Sequence, residues 1–139
     1  MARYFLKMKP EPISRHNFFI QTNDVLFQQE PFLSELPEPP KIEEIRLRHE
    51  RQTLRRLPKT RAILFTVRTY ITPITDLQGE PESVRELLGA IRAMPPEIAK
   101  YKARQVWGSV VEGWCEQVLK EANSDAQDNG LKEKVSSMQ

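Results

Sequence analysis

Between residues 63 and 71 the chain alternates: Ile63, Phe65, Val67 and Ile71 fall on one side, Leu64, Thr66, Arg68 and Tyr70 on the other. A period of two carried by β-branched and aromatic residues predicts a strand. The preceding stretch, Arg46 to Leu57, is crowded with arginine, and Pro58-Lys59-Thr60-Arg61 separates the two. Pro58 has no N–H to give a ladder and suits a turn, so a hairpin is expected over about 45–74. If Leu57 pairs with Ala62, the antiparallel register sets Arg55 opposite Leu64, Thr53 opposite Thr66, Arg51 opposite Arg68 and His49 opposite Tyr70. Arg56, Leu54, Gln52 and Glu50 then back Ile63, Phe65, Val67 and Thr69. A slip of one residue would exchange the two faces.

The flanking patterns are less regular. Phe18-Phe19-Ile20 and Val25-Leu26-Phe27, separated by Gln21-Thr22-Asn23-Asp24, predict a short strand, a turn and a brief helix or strand. From Glu30 to Glu44 four prolines lie among five glutamates, which makes an acidic, extended connector. Its Pro37 to Pro40 lack the basic flanks of a proline-rich ligand. After the hairpin, Thr75 to Glu80 read as a loop and Pro81 opens a helix at the position where proline is tolerated. Val84, Leu87, Leu88, Ile91 and Met94 recur at helical spacing up to Pro95-Pro96. A longer helix is expected from Pro96 to Ala122. Its broad apolar side, which includes Val106, Trp107, Val110, Val111, Trp114 and Val118, needs a sheet or a partner to cover it. Trp107 and Trp114, seven apart on that side, are expected in a core, as is Cys115. Residues 1–122 thus form one α+β domain, and the polar stretch 123–139 is expected to be a disordered tail.

Composition bounds the function. A chain of 139 residues is one domain's worth, and a net charge of +2 draws it neither to nucleic acid nor to membrane. One cysteine excludes an internal disulfide and a cysteine-built metal site. No stretch approaches the roughly 18 apolar residues of a membrane span, and the opening ten residues lack a signal-peptide core. A soluble, intracellular and most simply cytoplasmic protein is expected. There is no phosphate-cradling glycine loop, nucleophile elbow or HExxH, and the two histidines stand 33 positions apart.

The informative feature is local. From Arg46 to Arg68 there are seven arginines, one lysine and one acid, Glu50. In the expected register His49, Arg51, Thr53, Arg55, Arg68 and Tyr70 share a face, and two arginines directly opposite one another repel unless an anion lies between them. The planar guanidinium fork suits a carboxylate or phosphate. The glutamates of the 30–44 connector could supply that anion internally, leaving a solvated strand face with rim ion pairs. An RNA surface would use the same arginines with Phe65 and Tyr70, but the glycine and aromatic signatures of RNA modules are missing.

The string Arg48-His49-Glu50-Arg51-Gln52-Thr53-Leu54-Arg55-Arg56-Leu57-Pro58, followed by Ile63-Leu64-Phe65-Thr66-Val67-Arg68-Thr69-Tyr70, resembles the signature of the heme-dependent oxidative N-demethylase family, alpha-subunit-like. Arg15-His16-Asn17-Phe18, Leu26-Phe27, Met94-Pro95 and Tyr101-Lys102 fit as well, and the resemblance spans about residues 10 to 115. It implies the C-terminal portion of a PAS-like antiparallel sheet, the hairpin within it, followed by two C-terminal helices. It implies a heme b pocket and oxygen-dependent removal of a methyl group from a small secondary amine such as dimethylamine. Electrons would come from NADPH through flavin and iron–sulfur groups on partner reductase domains. Arg51, Arg68, Arg55 and Tyr70 become cofactor-binding or propionate residues, with Glu50 holding one arginine in an ion pair. The axial ligand is not assigned to His49, which occupies a variable position of the motif, nor to His16.

Two functions follow. The first is the heme-binding subunit of such a monooxygenase, in a truncated homologue whose turnover alone is left open. The second is a non-enzymatic interaction module, docking through the basic hairpin face and the apolar side of the 96–122 helix, through which the chain could also form an oligomer.

Overall fold

The structure, a computed structural model, describes residues 11–27 and 38–136, with the backbone alone described from 127 onward. Three strands form one antiparallel sheet: β1 (Ile13–Gln21), β2 (Arg46–Arg56) and β3 (Ile63–Pro73), in the order β1-β2-β3. Three helices follow: α1 (Pro81–Arg92), α2 (Pro96–Tyr101) and α3 (Arg104–Ser136). This is the expected α+β arrangement.

The expected hairpin register is the observed one: Arg51 stands opposite Arg68, His49 opposite Tyr70 and Leu54 opposite Phe65. The turn closes with the Leu57 N–H donating to the Ala62 carbonyl at 2.8 Å, and Arg61 takes the left-handed conformation with φ 60°. β1 is longer than the Phe18-Phe19-Ile20 run suggested, and it pairs with β2 over nine residues, His16 opposite Arg51 and Phe18 opposite His49. Val25 to Phe27, expected as a brief helix or strand, are irregular. The Val25 and Leu26 carbonyls turn inward to accept hydrogen bonds from Arg48 Nη1, and Val25 also accepts one from Gln21 Nε2. Most of the proline-rich connector lies outside the described residues. Its end, Ile42–Glu44, is a single 3-10 turn in which Glu44 accepts a hydrogen bond from the Lys41 N–H.

The core sits at one end of the sheet, where β1 and β3 finish and β2 begins. Ile20, Ile45 and Ile74 from that end meet Val84, Leu87, Leu88 and Ile91 of α1 and Trp107, Val111, Cys115 and Val118 of α3. The Ile74 N–H donates to the Ile45 carbonyl and locks the base of the hairpin. The apolar stripe of α1 therefore covers the apolar side of α3, the side expected to seek a partner. Across their rim Arg92 of α1 pairs with Glu112 and Glu116 of α3. The hairpin's far end projects away from this core, with Ile63, Leu64 and Phe65 exposed.

The single helix expected from Pro96 is two helices. It breaks after Tyr101, where Ala103 is left-handed with φ 53°. That conformation costs a residue other than glycine roughly 1–2 kcal/mol. Three contacts at the break offset it: the Lys102 carbonyl accepts the Trp107 indole N–H at 2.8 Å, and Lys102 Nζ donates to the Phe18 carbonyl at 2.6 Å and to Asn17 Oδ1 at 2.9 Å. Past Ala122, where the apolar pattern ends and a disordered tail was expected to begin, the α3 backbone stays helical to Ser136. Among the described residues no helix is long and apolar enough to cross a membrane.

Candidate functional site

Alternation along β2 divides its side chains between two faces with opposite chemistry. Arg48, Glu50 and Gln52 point to one face and are buried. His49, Arg51, Thr53 and Arg55 point to the other.

The buried face carries a polar network that crosses the whole sheet. Arg15 Nε of β1 donates to Gln52 Oε1 at 2.6 Å, and Gln52 Nε2 donates to Glu50 Oε2 at 3.0 Å. Arg48 Nε donates to Glu50 Oε1 at 3.0 Å. Arg48 Nη1 reaches the Leu26 carbonyl at 2.8 Å, and its Nη2 reaches Thr69 Oγ1 of β3 at 3.4 Å. The arginine that Glu50 holds is thus Arg48, two residues along the same face, while Arg51 and Arg68 project from the opposite face. Nearby, Lys102 Nζ lies 4.5 Å from the centre of the Phe18 ring and 4.8 Å from that of Phe19. Burial pushes the Lys102 ammonium below its usual pKa, and the charge of Glu50 partly restores it.

The second face is the arginine face. Arg51 and Arg68 stand directly opposite each other, Arg55 lies four residues further toward the tip, beyond Thr53, and all three arginines are exposed. Arg68 lies 5.4 Å from the centre of the Tyr70 ring. Among the described residues no carboxylate pairs with Arg51, Arg55 or Arg68. The connector residues that are described do not reach them: the carboxylate of Glu44 caps its own turn. Asp24 pairs with Arg46. The four residues expected to bind a cofactor, Arg51, Arg68, Arg55 and Tyr70, share this one face.

The two histidines, 33 positions apart in sequence, also meet here. His16 Nδ1 and His49 Nε2 are 3.1 Å apart, with the ring planes inclined by 23°. The His49 ring lies 6.2 Å from that of Tyr70. Such a bond joins one N–H to one bare nitrogen, so the tautomer of each ring fixes that of the other. The pairing could be found only once β1 was placed beside β2, because His16 is the diagonal neighbour of His49 in that register. Cys115 takes no part in either face: it is fully buried, and burial together with Glu112 raises its thiol to about 11. Among the described residues no group of three metal-ligating side chains occurs.

A projecting sheet face with opposed arginines that no described carboxylate neutralises, beside an aromatic ring and an imidazole pair, is the candidate site of a small α+β domain. The family is more specific: the chain belongs to the haem-dependent oxidative N-demethylase, alpha subunit-like family, whose model matches residues 1–112. That family is described as haem-dependent and as resembling one subunit of a larger assembly.

Proposed function

We propose that the chain is a haem-binding, alpha-subunit-like piece of an oxidative N-demethylase whose arginine face receives the haem carboxylates. The observation that carries this reading is the opposition of Arg51 and Arg68 with no carboxylate partner among the described residues. Two opposed guanidinium groups cost energy until an anion separates them, and each can hold a propionate with two parallel N–H donors. Arg55 extends the positive strip toward the tip, and the Tyr70 ring braces Arg68 while offering a phenolic hydroxyl to the same ligand. Leu64, exposed at 46% on this face, gives the macrocycle an apolar contact beside the arginines. Glu50 and Arg48 act from behind, where their ion pair holds the middle of β2 so that Arg51 keeps its place.

Haem b, when bound, supplies oxygen-dependent oxidation of a methyl group on a small secondary amine such as dimethylamine, with electrons from NADPH through flavin and iron–sulfur partner subunits. The three strands are the C-terminal part of a PAS-like sheet in this reading.

Hemin titration tests it. A sharpened, saturable Soret band at one haem per chain is expected. Arg51→Ala with Arg68→Ala should weaken retention at least tenfold, since each charge-assisted hydrogen bond is worth about 1.5–3 kcal/mol. Hemin dimethyl ester, which lacks the carboxylates, should bind the unaltered chain no better than hemin binds the double variant. Equal retention of both hemins by both proteins would remove the propionate role.

A further inference from the structure

The sheet has two outer edges, and only the β1 edge is covered, at its Phe18–Phe19 end. Along β1 the Phe18 carbonyl is taken by Lys102, and Tyr101 packs edge-on against Phe19. Along β3 no described residue forms a ladder. The Leu57/Ala62 hydrogen bond fixes the alternation: Leu64, Thr66 and Arg68 turn their N–H and C=O groups toward β2, while Ile63, Phe65, Val67 and Thr69 turn theirs outward. The same outward stretch exposes Phe65 at 48%, Val67 at 45% and Ile63 at 38%, all on one face. A long edge with exposed apolar side chains and open backbone groups is a template for another strand. Neither proline nor an acidic residue interrupts it between Ile63 and Thr72.

We propose that the occupant is a second copy of this chain, joined β3 to β3 and antiparallel about a twofold axis at Thr66, so that three strands from each copy form one continuous sheet. Self-pairing is favoured because one register satisfies every constraint the strand imposes. Full overlap of the two strands would centre on Arg68 and set it against its own copy, which like-charge repulsion disfavours. Sliding one strand past the other by four residues moves the axis two positions along, to Thr66. Phe65 then faces Val67 of the other copy, twice over, as an aromatic and β-branched pair. Leu64 faces Arg68, and the threonine hydroxyls meet at the centre. With the axis perpendicular to the sheet each face continues into itself, so the apolar row doubles in length and the two arginine faces lie on one side. Such an interface is isologous, the same patch used by both partners. The pairing uses no haem and stands or falls apart from the cofactor reading.

Light scattering during gel filtration, with the unaltered chain loaded up to high micromolar concentration, should report twice the 16.2 kDa of one chain. Thr66→Cys gives the sharper test. Residue 66 faces its own copy in a non-hydrogen-bonded pair, with Cα atoms about 4.5 Å apart, inside the range a disulfide spans. With oxidised glutathione supplied as the two-electron oxidant, that variant should form a reducible dimer in near-quantitative yield, while the buried Cys115 stays out of the reaction. Val67→Pro removes an outward N–H and leaves the β2 ladder whole, so it should give monomer with an unchanged circular dichroism spectrum. Should Val67→Pro fail to fold, Val67→Lys keeps the backbone and sets charge into the apolar row, with the same monomer expected. A single-chain mass at all concentrations would overturn the proposal, as would a dimer that survives both Val67 variants, or Thr66→Cys chains that crosslink no faster than chance encounter.

Discussion

β1 and β3 flank the same central strand, and the molecule treats them in opposite ways. Phe19, Ile20 and Gln21 of β1 are buried, and its edge is met at Phe18 by Lys102 from the break between α2 and α3. β3 carries the more regular apolar alternation, yet every residue from Ile63 to Arg68 is exposed. A strand's own pattern says that it has two faces, and what packs on those faces comes from elsewhere in the chain. The helices return to the β1 side and to the base of the hairpin, so burial follows them and not the quality of the alternation.

Breaking the closed side should cost most. Trp107 is fully buried, its indole N–H satisfies the Lys102 carbonyl, and it joins α3 to the core at the sheet's base. Trp107→Ala should destabilise the fold by about 4 kcal/mol, since it opens a large cavity and strips that carbonyl of its donor. Urea unfolding would measure it, and a loss below about 1 kcal/mol would mean that the helices do not hold the β1 side closed.

The network behind β2 should come next. Glu50 neutralises Arg48 where both are nearly buried, and it accepts from Gln52, which in turn holds Arg15. Glu50→Ala leaves the Arg48 guanidinium desolvated without its counterion and should cost about 3 kcal/mol. Glu50→Gln, which keeps an acceptor for Arg48, should recover part of that. If both variants match the unaltered chain in urea, the network does not bind β1 and β3 to the middle strand.

These residues also mark how far the sequence could be read. The hairpin and its register were legible because Pro58 places the turn, and a two-residue period leaves only a one-residue slip to decide. The helix α1 and its one apolar face were legible for the same reason of periodicity, bounded by Pro81 and Pro95. The division between α2 and α3 was not, since neither glycine nor proline marks Ala103; the break is imposed by what Lys102 and Trp107 reach. The His16–His49 contact was hidden because residues 22–45 make a connection too long to fix the β1 register. Arg51, Arg68, Arg55 and Tyr70 fall on one face because the hairpin register alone decides it. The exposure of that hairpin depends on the helices stopping at its base, which no strand pattern encodes.

The smallest effect is expected on the open side, and it sharpens the comparison most. Phe65 and Val67 have the residue types of a core strand, and in β1 the comparable Phe19 and Ile20 are buried. Because Val67 leaves nearly half its surface in water, Val67→Thr keeps the β-branched shape and exchanges one methyl for a hydroxyl that water can solvate. Measured by urea at a dilution that keeps the chain monomeric, its effect should stay within about 0.5 kcal/mol. The same exchange at the fully buried Val111 removes a methyl from the core and leaves a hydroxyl without water, so it should cost about 1–3 kcal/mol. Similar losses at the two sites would mean that β3 is covered in solution even in the single chain, and the asymmetry between the two edges would have to be abandoned.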